Sequence, residues 1–158
     1  MDFSVREMRP EEYPLLEDFL YEAIFIPEGV EPPPRSILQD DALQVYIRGF
    51  GKGMADHCLA AEVGGKVVGA VWVRIMDDYG HVDDETPSLA ISLYPEYRNH
   101  GIGTELMRRM LRLLGERGYR RVSHSVQKAN YALRMYRAVG FHTIREADGE
   151  CIMVCDLR

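Results

Sequence analysis

The sequence predicts a mixed α/β domain, in which helices pack on the faces of a mixed β-sheet. Two pairs of apolar, β-branched runs meet at Gly64-Gly65 and at Asp148-Gly149, and such pairs are typical of β-hairpins. Other segments place apolar residues three and four positions apart, which predicts amphipathic helices. Hairpins beside β-α-β units require strands of both directions in one sheet. A chain of 158 residues corresponds to one domain, 1–158.

The first half of the chain is predicted to hold three strands and two helices before a polar loop. Pro10, followed by Glu11 and Glu12, is a helix-start signal. Gly51 and Gly53 break the second helical region. We expect a strand over 3–8, helices over 13–24 and 36–50, and hairpin strands over 58–63 and 66–76.

The second half alternates strands with helices and closes on a hairpin. After the polar loop 77–87, Gly118 and Gly140 stand where two helices are expected to stop. We expect strands over 88–94, 121–127, 141–147 and 151–157, and helices over 104–117 and 129–139. The predicted order of elements is therefore β-α-α-β-β-β-α-β-α-β-β.

The composition excludes several classes of protein. With 46% hydrophobic and 28% charged residues, the chain is expected to fold around a core rather than stay disordered. A net charge of −6 argues against a general nucleic-acid binder. The first residues contain no apolar signal core, and no apolar run approaches the roughly 18 residues that span a bilayer. We therefore expect a cytoplasmic protein with no membrane partner.

The three cysteines predict neither a disulfide framework nor a metal site. Cys58, Cys151 and Cys155 form an odd set without regular spacing, which favours a reducing compartment. No pair of His or Cys residues stands near them at metal-ligand spacing. We expect all three to be small buried residues, and we expect no metal.

The charge is divided unevenly along the chain. Residues 1–96 carry 7 basic and 19 acidic side chains, a net of −12, whereas residues 97–158 carry 12 and 6, a net of +6. This division predicts either two partners of opposite sign or two faces of one site, although a chance partition has the same appearance.

A glycine turn after the fourth predicted strand indicates a phosphate site. Arg98, Gly101 and Gly103 separate that strand from a helix, and the first turn of a helix presents unpaired N–H groups to anions. The pattern is neither a P-loop nor a dinucleotide fingerprint, because it lacks Gly-Lys-Ser/Thr and a third glycine. A purely structural turn between strand and helix remains the alternative.

Two stretches resemble motifs of one enzyme family. SLYPEYRNHGIGTELM resembles motif A of the GNAT family of N-acetyltransferases, with the signature R/Q-x-x-G-x-G/A, and QKANYALRMYRAVGF resembles motif B. Arg98, Gly101 and Gly103 match the first motif, and Tyr136 precedes a Gly-Phe pair as in the second. The resemblance implies a mostly antiparallel mixed sheet flanked by helices.

The resemblance also implies acetyl-CoA as cosubstrate and assigns residues to it. The pantetheine arm is expected along the strand at Ile91, Ser92 and Leu93, with the Leu93 N–H also polarising the acetyl carbonyl. The pyrophosphate is expected on the turn. The residues assigned to it are Arg98, Asn99, His100, Gly101, Ile102, Gly103 and Thr104.

Tyr136 and Asn130 are the implied residues of the second motif. Tyr136 resembles the family's general acid, which protonates the departing thiolate, although its helical spacing also fits an aromatic that packs on the sheet. Many family members place an Asn seven residues before this Tyr. Here Ala129 holds that position, and Asn130 reaches the cofactor only if the helix start shifts.

No general base stands out in the sequence. Glu85 and His124 are the candidates we retain, and His81, Asp83 and Asp84 offer further side chains in the loop before the fourth strand. Each also fits a solvated loop charge or a satisfied polar residue.

The sequence therefore predicts acetyl transfer from acetyl-CoA to a primary amine by direct attack in a ternary complex. We expect the acceptor to be a cationic small molecule or peptide, because the acidic half is expected to frame it. A non-catalytic CoA-binding sensor or interaction domain of the same fold is the alternative, and a nucleotide-phosphate binder is a weaker one. Dimers are common in the family, but no feature of this sequence demonstrates one.

Overall fold

The structure is a computed structural model and describes residues 1–157. It contains a seven-stranded sheet and helices on both of its faces. The strands are β1 (Ser4–Glu7), β2 (His57–Val63), β3 (Lys66–Arg74), β4 (Ser88–Leu93), β5 (Arg121–Gln127), β6 (Phe141–Ala147) and β7 (Glu150–Asp156). The helices are α1 (Leu16–Ala23), α2 (Asp41–Gln44), α3 (Ile102–Glu116) and α4 (Leu133–Ala138).

The strands lie in the order β1-β2-β3-β4-β5-β7-β6. Neighbouring strands pair antiparallel, except for β4 and β5, which pair parallel across the α3 crossover. Both glycine hairpins form as predicted, since β2 joins β3 and β6 joins β7 around the expected turns. The mixed, mostly antiparallel sheet that the sequence predicts is therefore confirmed.

Two apolar clusters fix the helices to the sheet. On one face, the stripe of α3 is fully buried against the strands, with Leu106, Met110 and Leu114 at its centre. On the other face, α1 buries Phe19 beside Trp72 of β3. A fully buried side chain of this size contributes on the order of 1.5–3 kcal/mol, so the two clusters hold the sheet between two helical layers.

The second helical region is shorter than predicted. The segment 36–50 holds a 3-10 helix at Arg35–Gln39 and the single-turn α2, and then continues as turns. Its carbonyls accept hydrogen bonds from β3 instead of continuing a helix. Trp72 Nε1 donates to the Tyr46 carbonyl at 3.1 Å, and the Arg74 guanidinium donates to the Arg48 carbonyl at 2.9 Å. The periodic apolar residues are thus buried through tertiary contacts rather than by a regular helix.

The last helix is also shorter than predicted. It begins at Leu133 rather than at Ala129, because the side chain of Asn130 accepts the Ala132 N–H at 2.8 Å and stabilises a turn. Within residues 1–157, no helix has the length and apolarity that a bilayer span requires.

Candidate active site

The sheet opens between its two parallel strands. Within residues 1–157, β4 and β5 pair at one position, Ser88 opposite Ser123, and then separate. Each strand follows its other neighbour, because β4 pairs with β3 and β5 pairs with β7 over their whole lengths. The opening belongs to a groove of about 1420 Å³ that both strands line. We call this opening the cleft.

His124 lies where the cleft begins. Its Nδ1 is 3.0 Å from the carbonyl oxygen of Leu89, and its side chain is more than nine-tenths buried. Burial lowers the pKa of His124 to about 4, so the ring is neutral at pH 7. A carbonyl only accepts hydrogen bonds, and Nδ1 therefore carries the proton and Nε2 a lone pair.

Backbone groups of β4 face the cleft. The N–H of Tyr94 donates to the Val68 carbonyl at 3.0 Å. In an antiparallel pair, every second residue bonds the neighbouring strand, so this bond fixes which residues of β4 bond β3. Ser92 then directs its backbone groups at β3, while Ile91 and Leu93 direct theirs toward the cleft. The Ser92 hydroxyl donates to the Phe19 carbonyl at 2.6 Å. Of the three predicted strand residues, Ile91 and Leu93 thus present unpaired backbone groups, and Ser92 does not.

The glycine turn stands at the end of β4 and opens α3. Asn99 and Gly101 have φ values of 64° and 82°, and α3 starts at Ile102 with its first N–H groups unpaired. The predicted turn residues that line the groove are Arg98, Asn99, Gly101, Gly103 and Thr104. Ile102 is buried in the core, and His100 is exposed outside the groove lining.

Arg98 is already engaged by an acidic residue. Its Nη2 lies 3.3 Å from Glu22 Oε1 and 3.4 Å from the Glu22 carbonyl oxygen, near the end of α1. Both side chains are half-buried. A phosphate that binds Arg98 therefore competes with this contact.

Tyr136 projects from α4 toward the cleft and packs edge-on against His124, with ring centroids 4.6 Å apart. It is buried to 6% exposure, and burial raises its pKa to about 12. Its hydroxyl makes no hydrogen bond to any described residue, and the residue lines the groove. Asn130 lines the groove as well, although its side-chain oxygen is occupied by the Ala132 N–H.

The structure places the predicted loop candidates for a general base away from the groove. Arg121 bonds Asp83 at 2.7 Å and holds the pKa of that carboxyl at about 2. Asp84 and Glu85 are exposed, and neither belongs to the groove lining. Of the two retained candidates, the structure brings His124 to the cleft and leaves Glu85 outside it.

Sequence reasoning missed a polar group on the face of the sheet that carries α1. The Tyr46 hydroxyl donates to Asp78 at 3.0 Å, and the Ser88 hydroxyl donates to the same carboxylate at 2.7 Å. Burial raises the pKa of Asp78, and Tyr46 lines the groove. No spacing in the sequence relates these residues, because the turns after α2 bring Tyr46 to the loop after β3.

A free strand edge, a helix N-terminus and a buried phenol lie along one groove, an arrangement suited to an extended ligand with a phosphate at one end. Residues 12–141 match the model of the acetyltransferase (GNAT) family. The chain belongs to this family, whose members are acyl-CoA-dependent N-acetyltransferases. Among curated protein sequences, none matches the chain.

Solved structures of similar fold cover nearly the whole chain. A GNAT acetyltransferase from Streptococcus pneumoniae has a TM-score of 0.72 at 19% identity, over 98% of this chain and 99% of its own. The PaiA N-acetyltransferase from Thermoplasma acidophilum, in complex with coenzyme A, has 0.71 at 18%, over 99% of each chain. YncA, a putative acetyltransferase from Salmonella typhimurium with acetyl-CoA, has 0.69 at 14%, over 100% of this chain and 95% of its own. At these identities the similarity establishes the fold.

Proposed function

We propose that the protein transfers the acetyl group of acetyl-CoA directly to the primary amine of a cationic acceptor. The observation that carries the proposal is the continuous groove, which connects the N-terminus of α3, the free edge of β4 and the phenol of Tyr136. Each of these features matches one part of the thioester, namely the pyrophosphate, the amide-bearing arm and the sulfur.

The cosubstrate fits the groove as an added strand. Amides of the pantetheine arm pair with the backbone groups of Ile91 and Leu93, which β5 leaves free. The pyrophosphate accepts N–H groups of the turn 99–104, and Arg98 exchanges Glu22 for a phosphate oxygen. Two of the similar structures hold coenzyme A or acetyl-CoA, which supports this assignment.

We propose that the N–H of Ile91, rather than that of Leu93, binds the oxyanion. The sequence-based expectation gave this role to Leu93. Ile91, however, lies one side-chain repeat, roughly 7 Å, nearer to Leu89. The Leu89 carbonyl binds His124, and His124 packs on Tyr136. We therefore assign the oxyanion to Ile91 and a pantetheine amide to Leu93.

The transfer needs one proton donor and one proton acceptor. The amine nitrogen attacks the thioester carbonyl, the C–N bond forms, and the C–S bond breaks. Tyr136 remains protonated at pH 7 because its pKa is about 12, and it donates its proton to the departing thiolate. The amine attacks in its uncharged form and then loses one proton to water in the open groove, and water returns a proton to Tyr136. Among the described residues, the cysteines lie outside the groove lining, which favours direct attack over an acyl-cysteine.

The three cysteines are free, and all are buried. Free buried thiols persist in a reducing compartment, which supports a cytoplasmic location.

Release of free CoA thiol with a panel of amines tests the proposal. We expect acetyl-CoA to bind and thiol to be released with a cationic amine, and we expect Tyr136→Phe to lower kcat about a hundredfold while acetyl-CoA affinity stays the same. Binding of acetyl-CoA without turnover of any amine would instead establish the non-catalytic sensor.

A further inference from the structure

We infer that Glu150 binds a second cationic group of the amine acceptor and so selects acceptors with two positive charges. This inference rests on the proposed function, since it concerns the other end of the same groove. Glu150 is the first residue of β7 and lines the groove that Tyr136 and the glycine turn also line.

Two side chains of β5 orient the Glu150 carboxylate. The Ser125 hydroxyl donates to Glu150 Oε2 at 3.1 Å, and the Gln127 amide donates to Glu150 Oε1 at 3.4 Å. Ser125 and Gln127 share a face of β5 with Ser123, which contacts Ser88 at the closed end of the cleft. The carboxylate is thus held along the cleft, on the face of the sheet opposite His124.

No cation compensates this charge within residues 1–157, although Glu150 is half-buried. Its hairpin neighbour Glu146 pairs with Lys128 at 3.0 Å, whereas Glu150 forms no ion pair with a described residue, including Arg145 of the groove lining. Tyr46 lines the same groove, and its pKa is raised by burial first and then by the charges of Asp78 and Glu150. A partly buried carboxylate without a cation favours binding of one.

The reacting end of the groove is prepared for an uncharged amine. His124 Nε2 has a lone pair and Tyr136 has a free hydroxyl, and both side chains are more than nine-tenths buried. A carboxylate stabilises an ammonium ion and opposes its deprotonation, so Glu150 suits the amine that is not acetylated.

The distance along β5 between the closed end of the cleft and the Glu150 carboxylate is similar to the length of a short diamine. Ser125 lies two residues beyond Ser123, a rise of about 7 Å along β5 from the closed end of the cleft. The Glu150 carboxylate contacts Ser125, which places it within reach of an extended four-carbon diamine whose other nitrogen lies in the cleft.

Steady-state kinetics with 1,4-diaminobutane and n-butylamine test this inference in the full chain. We expect wild type to have a kcat/KM about tenfold higher for the diamine, the gain of one charge-assisted hydrogen bond. Glu150→Gln should remove that preference by raising KM for the diamine, while kcat and the affinity for acetyl-CoA stay the same. Glu146→Gln removes an equal charge from the same hairpin outside the groove and should keep the preference.

The outcomes separate the two proposals. An equal kcat/KM for both amines in wild type, or a diamine preference that survives Glu150→Gln, would overturn the role of Glu150 and leave the acetyltransferase intact. Absence of both acetyl-CoA binding and turnover with either amine would overturn the proposed function itself.

Discussion

His124 donates its Nδ1 proton to the Leu89 carbonyl at 3.0 Å, one residue beyond the last pair of β4 and β5. The His124 side chain therefore bonds the backbone carbonyl at which the parallel pairing of β4 and β5 ends. The same ring supports Tyr136 from its edge at 4.6 Å. His124 thus couples the opening of the sheet to the position of the phenol.

Replacing His124 tests this coupling. His124→Leu removes the donor and leaves the buried Leu89 carbonyl unpaired, which costs about 1–3 kcal/mol of unfolding free energy. Because Tyr136 loses its support, kcat should fall while KM for acetyl-CoA changes little. Urea denaturation and steady-state kinetics measure the two effects. His142→Leu, at an exposed position of β6, is the matched control and should change neither. A His124→Leu variant with wild-type kcat would contradict the positioning role.

His124 also predicts how stability depends on pH. Its pKa is about 4 in the folded protein and about 6.5 when unfolded, so the unfolded state binds more protons between these values. Stability is full above pH 6.5 and should fall by about 3 kcal/mol as the pH drops to 4. Burial lowers the pKa of His57 too, which adds in the same direction.

Thermal unfolding across pH 4 to 7 measures this dependence. His124→Leu should flatten the curve in that window. Glu12, whose hydrogen bond to Arg6 lowers its pKa to about 2, should add its own loss as the pH falls below about 5, so its contribution enters only the acid end of the window. An unchanged slope in the variant would show that another group titrates there.

The Arg98–Glu22 contact should weaken cosubstrate binding. Glu22→Gln removes the carboxylate that holds Arg98 at 3.3 Å, and the guanidinium becomes available to the pyrophosphate. We expect Kd for acetyl-CoA to fall about threefold, consistent with a partly exposed ion pair worth up to about 1 kcal/mol. Isothermal titration measures this change. Glu17→Gln, at an exposed position of α1, should leave Kd unchanged, and an equal effect of both variants would argue for general charge alone.

The role of the glycine turn in binding can be distinguished from the stability cost of replacing any glycine that has a positive φ. Gly101 and Gly149 have φ values of 82° and 80°, and a Cβ at either meets nothing within 4 Å. Alanine at each should cost about 1 kcal/mol of stability through the left-handed backbone. Only Gly101→Ala should also weaken acetyl-CoA binding, by about tenfold, because it alters the turn that presents the N–H groups. Equal acetyl-CoA affinity in the two variants would remove the turn from the binding site.

The sequence predicted those parts of the site that depend on local pattern. The turn 98–104 and α3 follow from a strand, two glycines and a 3.6-residue apolar stripe, and the structure forms both. The segment 36–50 has a similar apolar stripe but folds as turns, because Trp72 and Arg74 bind its carbonyls from a distant strand. The sequence also placed the start of the last helix too early, at Ala129 instead of Leu133. The Asn130 side chain accepts the Ala132 N–H and stabilises a turn before the helix.

The division of charge along the chain predicted only part of the polar groups near the groove. It indicated residues 1–96, which contain the hydrogen-bonded pair of Tyr46 and Asp78. Glu150 belongs to the half with a net charge of +6, and β7 brings it to the groove through its pairing with β5. Long-range strand pairing, which no local pattern encodes, therefore brings Glu150 to the groove that Tyr46 also lines.

Isothermal titration of acetyl-CoA into the wild-type protein tests the central claim most directly. We predict saturable binding at one site per chain with micromolar affinity, lost on addition of excess CoA. Absence of binding at millimolar acetyl-CoA would contradict the assignment of the groove between β4 and β5.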